Sequence, residues 1–576
     1  MSVVASDSEA LPDATDRWFA GYRAALRSRD LRLLLGGLAI SATGSWAYNV
    51  GLLAYVYDRT HSLTWVGAAG FARFVPALLL SAYGGVIAER TERVKLMALA
   101  ALVCAVWQVG LALVAFASGP VALALLFSAL TAATSVVEPP SVAATIPSVV
   151  NEDRLVAANA LNSTIENLVV ISGPAVGAAL LLIGSPAAVF TLNAASFVIA
   201  AALVIRMKAR SEPVDVTEGG TAGPLRQMVV GARTIAALPA ARTLVAYSVL
   251  VSFVYGTDTV LFVGVSAQRL GTGTEGFGYL LAGLGIGGIL MAAGVDRLAG
   301  SRALGPIILA GVAGYTLPTA LLTVVHSPAI AVAIQVVRGA STLVVDVLAV
   351  TALQRAVPGD QLARVFGVFF AFVLAVIAAG TVITPAIVNA YGLNAALWTM
   401  AVAPFALGVL GYPALMAVDR ATAARARELE PRVALLESLE IFASASRPVL
   451  ERLAAAVTVA TFPAGRTIIR EGDDADSLYV LVEGQARVTG RGEEGGEERE
   501  LNLLTGPAYF GEIGVLGRMP RTATVTAATD CACELIDGDA LLDALTTAPP
   551  SSSLMENARA RLARTHPSRR PEFVAD

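Results

Sequence analysis

The chain has 576 residues, of which 56% are hydrophobic and 15% charged, and its mean hydropathy is +0.67. A composition this apolar excludes an ordinary soluble protein and is typical of a protein that crosses a membrane many times. The net charge of −4 says little, and we expect no nucleic-acid partner. The three cysteines have neither the number for a disulfide framework nor the spacing of a metal site. The three histidines, in loops or the tail, form no catalytic constellation, so we expect no enzyme and no cofactor.

Residues 1–30 are polar and lack the short apolar core of a cleavable signal peptide. Trp18, Phe19 and Tyr22 lie among arginines, which predicts an amphipathic helix on the cytoplasmic membrane surface. A disordered tail is the alternative.

Twelve apolar stretches follow, each long enough to cross a bilayer, which takes about 20 residues. Their predicted ranges are 31–57, 63–88, 96–117, 121–139, 155–184, 186–207, 243–265, 277–295, 303–325, 327–351, 361–389 and 393–417. An even number of spans places both termini on the same side. We therefore expect an all-α membrane unit.

Lys and Arg residues are distributed unequally between the two sets of short connections. One set carries only Arg59 and Arg269. The other carries Arg90, Arg93, Lys95, Arg154, Arg206, Lys208, Arg210, Arg297, Arg302, Arg355 and Arg364. The positive-inside rule then predicts a multi-pass protein of the plasma (inner) membrane with both termini in the cytoplasm.

The spans contain an internal repeat. Glu89 and Asp296 are 207 residues apart (296 − 89), Glu138 and Asp346 are 208 apart (346 − 138), and Pro174 and Pro385 are 211 apart (385 − 174). A nearly constant offset predicts two six-helix halves in the same orientation, over 31–207 and 243–417.

The segment Gly85-Val-Ile-Ala-Glu-Arg-Thr-Glu-Arg-Val-Lys95 resembles the loop that follows the second helix in the major facilitator superfamily. Glu89 replaces the usual Asp and Glu92 replaces a Gly, whereas the second copy, from Asp296 to Arg302, keeps its Gly. The resemblance implies a twelve-helix transporter with an ion-pair gate at its cytoplasmic mouth. The predicted gate residues are Gly85, Glu89, Arg90, Arg93, Glu138, Asp296, Arg297 and Asp346.

Charges deeper in the spans are candidates for transport, because an ionisable group at membrane depth is costly and faces a cavity or a partner. Arg73 and Asp258 meet this criterion, and a polar stripe on the fifth span includes Asn162 and Glu166. We predict Glu166 and Asp258 as proton-coupling carboxylates and Arg73 as a counter-charge or a site for an anionic substrate. A structural hydrogen-bond network between the helices is the alternative for each of them.

Two connections flank the second half. Residues 208–242 begin as a flexible polar linker and end in an amphipathic helix from Leu225 to Leu238. Residues 418–437 are charged, rich in Ala and free of Gly, which predicts a helical linker. It either transmits motion or acts as an inert spacer.

Residues 438–547 have short alternating stretches punctuated by glycines, as expected for a small β domain with flanking helices. Within it, Phe-Gly-Glu-Ile-Gly-Val-Leu-Gly-Arg-Met-Pro-Arg-Thr-Ala-Thr-Val (510–525) places a glycine turn beside a carboxylate and an arginine fork. Such a turn suits an anion, and the fork suits phosphate. The tail, 548–576, contains a possible lid helix interrupted by Pro549 and Pro550.

This segment resembles the phosphate-binding cassette of cyclic-nucleotide-binding domains. The resemblance implies that Glu512 binds the ribose 2′-hydroxyl and Arg521 the cyclic phosphate, with the Gly511 and Ala523 backbones completing the site. The predicted nucleotide-binding residues are Gly511, Glu512, Ile513, Arg521, Thr522 and Ala523. Thr522 does not decide between cAMP and cGMP, and we favour cAMP. The alternative is a β-roll that has lost its ligand.

Together these features predict a secondary transporter, most simply a proton-coupled exporter of small molecules, regulated by a cytoplasmic cyclic-nucleotide domain. Its expected partners are membrane lipid, a small-molecule substrate, protons and the nucleotide. Two alternatives are a membrane-anchored nucleotide receptor without transport and a constitutive transporter with the β-roll as a docking module. The sequence contains neither a selectivity-filter motif nor an arginine-repeat helix, which disfavours a channel.

Overall fold

The computed structural model describes residues 22–151, 154–209, 224–299, 303–357, 359–442, 445, 447–490 and 499–547. The chain divides into two compact units, Met1–Asp419 and Arg420–Asp576. Most of the predicted N-terminal segment 1–30, the polar part of the linker 208–242 and the tail 548–576 with its lid helix lie outside the described residues.

The first unit is helical. Its helices are α1 (Arg29–Thr60), α2 (Leu63–Arg90), α3 (Arg93–Phe116), α4 (Val121–Ser135), α5 (Glu138–Val149), α6 (Leu155–Ile183), α7 (Pro186–Ile205), α8 (Pro224–Ala237), α9 (Pro239–Val265), α10 (Gly276–Ala299), α11 (Leu304–Thr316), α12 (Pro328–Ala356) and α13 (Gly359–Glu437), with a π turn at Ser266–Leu270 and a 3₁₀ turn at Leu317–Thr323.

Nine helical stretches of the described residues are long and apolar enough to cross a membrane. The longest, Arg364–Glu437, is broken at Gly392, whose φ of +84° is non-helical, between the eleventh and twelfth predicted spans. Gly276–Ala292 is a shorter apolar helix. The described residues thus form a multi-pass helical unit, and the number twelve stays a prediction.

The fourth predicted span, 121–139, lies within one apolar stretch of the structure, Val121–Val149, which has a break after Ser135. Helix α4 ends at Ser135, and α5 starts at Glu138 with prolines in its first turn, Pro139 and Pro140. Proline lacks the N–H that a continuing helix would use but is tolerated where a helix begins, so the chain starts a new helix here.

The two halves of the first unit meet through matched contacts. A Cβ at Gly67 of α2 would lie 2.7 Å from the Pro385 ring of α13, and a Cβ at Gly278 of α10 would lie 2.9 Å from the Pro174 carbonyl of α6. The glycines are 211 residues apart (278 − 67) and so are the prolines (385 − 174). The repeat in the sequence is therefore a repeat of close helix contacts, where only glycine lets the backbones approach.

The second unit is a β-sandwich with flanking helices. Its strands are β1 (Thr458–Phe462), β2 (Thr467–Ile469), β3 (Ser477–Glu483), β4 (Gln485–Gly490), β5 (Arg499–Thr505), β6 (Ala508–Phe510), β7 (Thr524–Ala527) and β8 (Cys531–Asp537). Its helices besides the end of α13 are α14 (Arg447–Ala456), α15 (Glu512–Leu516) and α16 (Gly538–Thr547), and a 3₁₀ turn covers Glu440–Phe442.

All strand pairs in the second unit are antiparallel. One sheet has the order β1-β8-β3-β6 and the other β2-β7-β4-β5. Alternating side chains of these strands fill the interior, for example Leu481 and Cys533, both with no exposed surface. The helical unit followed by a small β domain agrees with the predicted fold class.

Candidate functional site

The turn between β6 and α15 is shaped around Gly511. Its φ is +88°, in the left-handed region that favours glycine. A Cβ at this position would lie 2.6 Å from Nη1 of Arg521. Backbone conformation and available space both require glycine here, so the turn and the arginine are built as one site.

Arg521 is buried, with 5% of its surface exposed. Its Nη1 donates to the Gly511 carbonyl at 3.0 Å, and its Nη2 donates to the Ser477 carbonyl at 2.8 Å and to Oδ1 of Asp476 at 3.1 Å. The guanidinium also lies over the Tyr479 ring, 5.6 Å from its centroid. The backbone of Arg521 is fixed as well, because its N–H donates to the Asp473 carbonyl and its carbonyl accepts from the Gly472 N–H.

The carboxylate paired with Arg521 is in water. The Asp476 side chain is 80% exposed, whereas the Arg521 side chain is 4% exposed. An ion pair of this kind contributes little, since an exposed carboxylate loses little by leaving it. An anion arriving from solvent can therefore replace or join Asp476 at the guanidinium.

The other predicted nucleotide residues surround the same turn. Glu512, Ile513 and Thr522 are buried and Ala523 is half-buried. Glu512 opens α15 directly after Gly511, and Thr522 and Ala523 link Arg521 to β7. The six predicted residues thus lie in one continuous segment, 511–523.

Sequence reasoning missed the groups that hold Arg521. Asp476, Ser477 and Tyr479 lie on or next to β3, more than 40 residues earlier in the chain. Tyr479 also stacks on Phe510, with ring centroids 5.3 Å apart. The acidic run Asp473–Asp476 directly before a strand was the available signal.

A second buried acidic side chain of this unit lies on β8, in the same sheet as β3 and β6. Glu534 of β8 is 8% exposed, and its Oε1 forms an ion pair with Nε of Arg432 at 3.4 Å, while its Oε2 has no hydrogen-bond partner within the described ranges. Burial raises the pKa of the Glu534 carboxyl, and the Arg432 charge opposes that shift. Burial also raises the pKa of the nearby Cys533 thiol to about 12, so this thiol is neutral and unreactive at physiological pH.

The first unit contains a second arginine site, formed by Asp258 of α9 and Arg338 of α12. Nη2 of Arg338 lies 2.8 Å from both Asp258 carboxylate oxygens, and the Tyr315 hydroxyl donates to Asp258 Oδ2 at 2.8 Å. Nε of Arg338 donates to the Tyr315 carbonyl and Nη1 to Oε1 of Gln335, both at 2.8 Å. Arg338 has no exposed surface and Asp258 has 3%.

Asp258 was predicted from the sequence, but Arg338, Tyr315 and Gln335 were not. The helix Pro328–Ala356 has one arginine near its end, Arg355, and one well inside its apolar stretch, Arg338. The position of Arg338 was the signal, because a charge at membrane depth needs a partner. Aromatic rings cover its remaining faces: its Cζ lies 4.8 Å from the Tyr315 centroid and 5.5 Å from that of Phe262.

The remaining predicted transport residues do not join this hydrogen-bonded cluster. Asn162 donates to Glu166 at 2.9 Å, a pair within α6 in which Glu166 is exposed. Arg73 is half-buried, with its guanidinium 5.5 Å from the Trp46 ring centroid and 5.4 Å from that of Phe74. The four residues therefore occupy three separate settings.

The predicted gate is described only in part. Arg90 is exposed at the end of α2, Gly85 has open space around it, and Arg93 donates to the Ala144 carbonyl at 3.3 Å. Glu92, which replaces a glycine of the resembled loop, caps α3 by accepting from Val94 and Lys95 N–H groups. The structure describes the backbone but not the side chains of Glu89, Asp296 and Arg297.

Glu138 and Asp346 form no ion pair with any described residue. Glu138 opens α5 within hydrogen-bonding reach of Ser41, and Asp346 lies within reach of Thr342 on its own helix. The ion-pair gate stays a prediction.

Comparison with known proteins also divides the chain into a large N-terminal part and a smaller C-terminal part. The family model described as a transmembrane secretion effector, of the major facilitator superfamily, matches residues 20–442. The model of the cyclic nucleotide-binding domain matches residues 459–548. The second match contains the whole segment 511–523.

Individual curated relatives match short stretches of the chain. A CRP-like cAMP-activated global transcriptional regulator of Mycobacterium tuberculosis is 35% identical over 109 residues, covering 18% of this chain and 47% of the regulator. A cGMP-dependent protein kinase of Toxoplasma gondii is 41% identical over 88 residues, 15% of this chain and 8% of the kinase. The chain thus spans less than half of either relative.

Among solved structures, a cAMP-binding acyltransferase from Mycobacterium smegmatis, mutant R95K, is 32% identical, with a TM-score of 0.20. The match covers 23% of this chain and 42% of that one.

Proposed function

Because the chain belongs to the transmembrane secretion effector family of the major facilitator superfamily and also carries a cyclic nucleotide-binding domain, we propose that it is a proton-coupled exporter of small molecules regulated by cyclic nucleotide, with cAMP preferred. The protein lies in the plasma (inner) membrane with both termini in the cytoplasm, where the nucleotide is available. The distribution of Lys and Arg between the connections supports this orientation.

The proposal that cyclic nucleotide regulates transport depends on one observation, the environment of the Arg521 side chain. Its guanidinium is buried and held by two carbonyls and a tyrosine ring, while its charge partner Asp476 is exposed. A cyclic phosphate gains a fixed, charge-assisted contact and displaces only a solvated carboxylate. Glu512, which directly follows Gly511, accepts from the ribose 2′-hydroxyl.

Regulation requires that the nucleotide bind one transport conformation more tightly than the other, since only differential affinity shifts an equilibrium. Coupling energies of about 1–3 kcal/mol are typical, which corresponds to a change of about 5-fold to 150-fold. We propose an effect of this size on transport. The preference for cAMP is supported by the M. tuberculosis relative, whose name describes it as cAMP-activated.

Inverted membrane vesicles test the proposal with a mixture of candidate substrates. Their cytoplasmic face is outside, so a small-molecule extract and cAMP can both be added to the medium, and the vesicle contents are then analysed by mass spectrometry. We expect accumulation that depends on the proton gradient and changes with cAMP. Arg521→Ala should transport normally but ignore cAMP, whereas Arg518→Ala, an exposed arginine of the same segment, should respond as wild type.

Two results would contradict the proposal. Vesicles that accumulate nothing above vector controls would indicate a membrane-anchored nucleotide receptor. Accumulation that is identical with and without cAMP and cGMP would indicate a constitutive transporter whose β domain serves another purpose.

A further inference from the structure

A small cavity lies beside the Asp258–Arg338 cluster. Its volume is ≈ 10 Å³, close to the minimum of about 10–15 Å³ that one water molecule needs. Its polar lining is Asn49, Tyr255, Asp258 and Thr259, and the rest is apolar. The cavity therefore suits water or a proton carried by water, and it is too small for an organic substrate.

The cavity lies at the boundary between the two halves. Asn49 comes from α1 in the first half, whereas Tyr255 and Asp258 come from α9 and Phe277 from α10 in the second half. Separation of the halves would widen the cavity and admit solvent to Asp258. Access to this carboxylate thus depends on the conformation of the transporter.

The cluster contains one group that can change its charge readily. Arginine keeps its proton in proteins, so a proton arriving at the cluster has to bind a carboxylate oxygen of Asp258. The other charged or titratable groups near it are Arg338, Tyr315 and Tyr255, and Arg73 acts on Tyr255 from α2. Asn49 and Gln335 are neutral.

Proton binding has a large electrostatic consequence here. The Asp258–Arg338 pair is neutral as an ion pair, and protonation of Asp258 leaves a net charge of +1 with almost no solvent exposure. A single buried charge is far more costly than a buried pair, because the surrounding medium has a low dielectric constant. The protonated cluster should therefore favour the conformation that exposes it to water.

We infer that Asp258 is the site where this transporter binds its coupling proton, and that Arg338, Tyr315 and Gln335 position it. This inference deepens the proposed proton-coupled transport and rests on it. Glu166, the other predicted carboxylate, is exposed, and its described hydrogen bond comes from Asn162 of the same helix, so separation of the halves does not by itself change that contact.

Distance measurement between the halves as a function of pH tests the inference. Spin labels are placed at Ala117 and His326, which are exposed in connections of the first and second half, while the buried native cysteines stay unlabelled. The full chain is reconstituted in lipid nanodiscs, and electron–electron double resonance is recorded from pH 5 to 9. In the wild type, we expect the distance distribution to change with a single-proton transition.

The key variant is the double substitution Asp258→Asn with Arg338→Gln, which removes both charges and so avoids an unpaired one. We expect its distance distribution to be independent of pH. Asp258→Glu should retain the transition at a displaced midpoint, and Arg338→Lys should retain it because the positive charge is kept. Glu166→Gln is the matched carboxylate control and should still show the transition.

The inference is overturned if the double variant shows the wild-type transition, or if Glu166→Gln abolishes it. A wild type without any pH dependence also overturns it. These outcomes are separable from failure of the proposed function, because vesicle accumulation and the cAMP response are measured independently of the labels.

Discussion

Among the described residues, two arginines are buried, one in each unit, and they differ in the carboxylate with which they pair. Arg521 pairs with Asp476, whose side chain is 80% exposed, and Arg338 pairs with Asp258, whose side chain is 4% exposed. Both guanidinium groups lie against tyrosine rings and both donate to backbone carbonyls.

This difference suits the two arginines to different tasks. A guanidinium with a solvated partner can accept an incoming phosphate at little cost, so Arg521 is suited to ligand binding. A guanidinium whose partner is sealed beside it exchanges with nothing, and only a proton can change the charge of the pair. Arg338 is therefore suited to hold a coupling site.

The largest expected effect is on stability. Arg338→Gln leaves Asp258 buried and unpaired, and loss of one partner of a buried pair costs about 3–5 kcal/mol. Arg521→Gln leaves Asp476 in water and should cost about 1–2 kcal/mol through lost hydrogen bonds. Thermal unfolding of the full chain, followed by size-exclusion chromatography, compares them. The comparison fails if both variants lose the same stability, and Asp258→Asn added to Arg338→Gln should recover most of the loss.

Gly511→Ala sharpens the description of the Arg521 site. Alanine at this position would keep a φ that is unfavourable for a residue with a Cβ, and the new Cβ would press on Nη1 of Arg521. We therefore expect about 1–2 kcal/mol lower stability together with weaker cAMP binding. Gly465→Ala is the control, because Gly465 has a φ of +83° but nothing within 4 Å. It should lose stability and keep its cAMP affinity. Equal affinity in both variants would argue against direct contact between position 511 and Arg521.

The Glu534–Arg432 pair is intermediate between the sealed Asp258–Arg338 pair and the Asp476–Arg521 pair with its exposed carboxylate. The Glu534 carboxylate is buried, and the Arg432 side chain is partly exposed. Burial raises the pKa of the Glu534 carboxyl in the folded protein above its value in the unfolded chain. The protonated side chain therefore contributes fully to stability below the unfolded-state pKa, and this contribution is lost as the pH rises through the folded-state pKa. Glu534→Gln should therefore gain stability relative to wild type between pH 4 and pH 7.5, by less than Gly511→Ala loses.

Urea unfolding of the fragment Arg420–Asp576 measures this difference, since both hydrophobic clusters of that unit consist of its own residues. Glu500→Gln is the matched control, because Glu500 pairs with Arg487 in an exposed setting. A pH-independent difference for Glu534→Gln would contradict the raised pKa.

The smallest expected effect concerns Asp476. If it competes with phosphate for Arg521, Asp476→Asn should tighten cAMP binding by up to about fivefold, the worth of an exposed ion pair. Asp474→Asn removes the same charge from the same acidic run at another exposed position and should change the affinity less. Weaker binding in Asp476→Asn would mean that Asp476 assists the ligand.

Much of the nucleotide site could be predicted from the sequence, because the residues that indicate it are close together in the chain. The segment from Gly511 to Ala523 is continuous in sequence, so its turn and its arginine were visible together. The partners of Arg521 were not, because Asp476 and Tyr479 reach it only through the pairing of β3 with β6. In the membrane unit, Asp258 was found as an isolated charge, whereas its link to Arg338 depends on the packing of α9 against α12.

Some element boundaries were missed for a similar reason. The sequence predicts a span over 121–139, but the two prolines after Glu138 allow a helix to begin and not to continue. The repeat in the spans was visible as an offset between Pro174 and Pro385. Its physical cause, the fit of each proline region against a glycine of the other half, appears only in three dimensions.

The most direct test of the central claim is calorimetric titration of cAMP and cGMP into the full chain in nanodiscs, with Arg521→Ala and Arg518→Ala beside the wild type. We predict saturable micromolar binding that favours cAMP, survives in Arg518→Ala and weakens by at least about thirtyfold in Arg521→Ala, as expected for loss of a buried charged contact. Absence of binding to either nucleotide, or equal binding by Arg521→Ala, would contradict the assignment of Arg521 as the phosphate site.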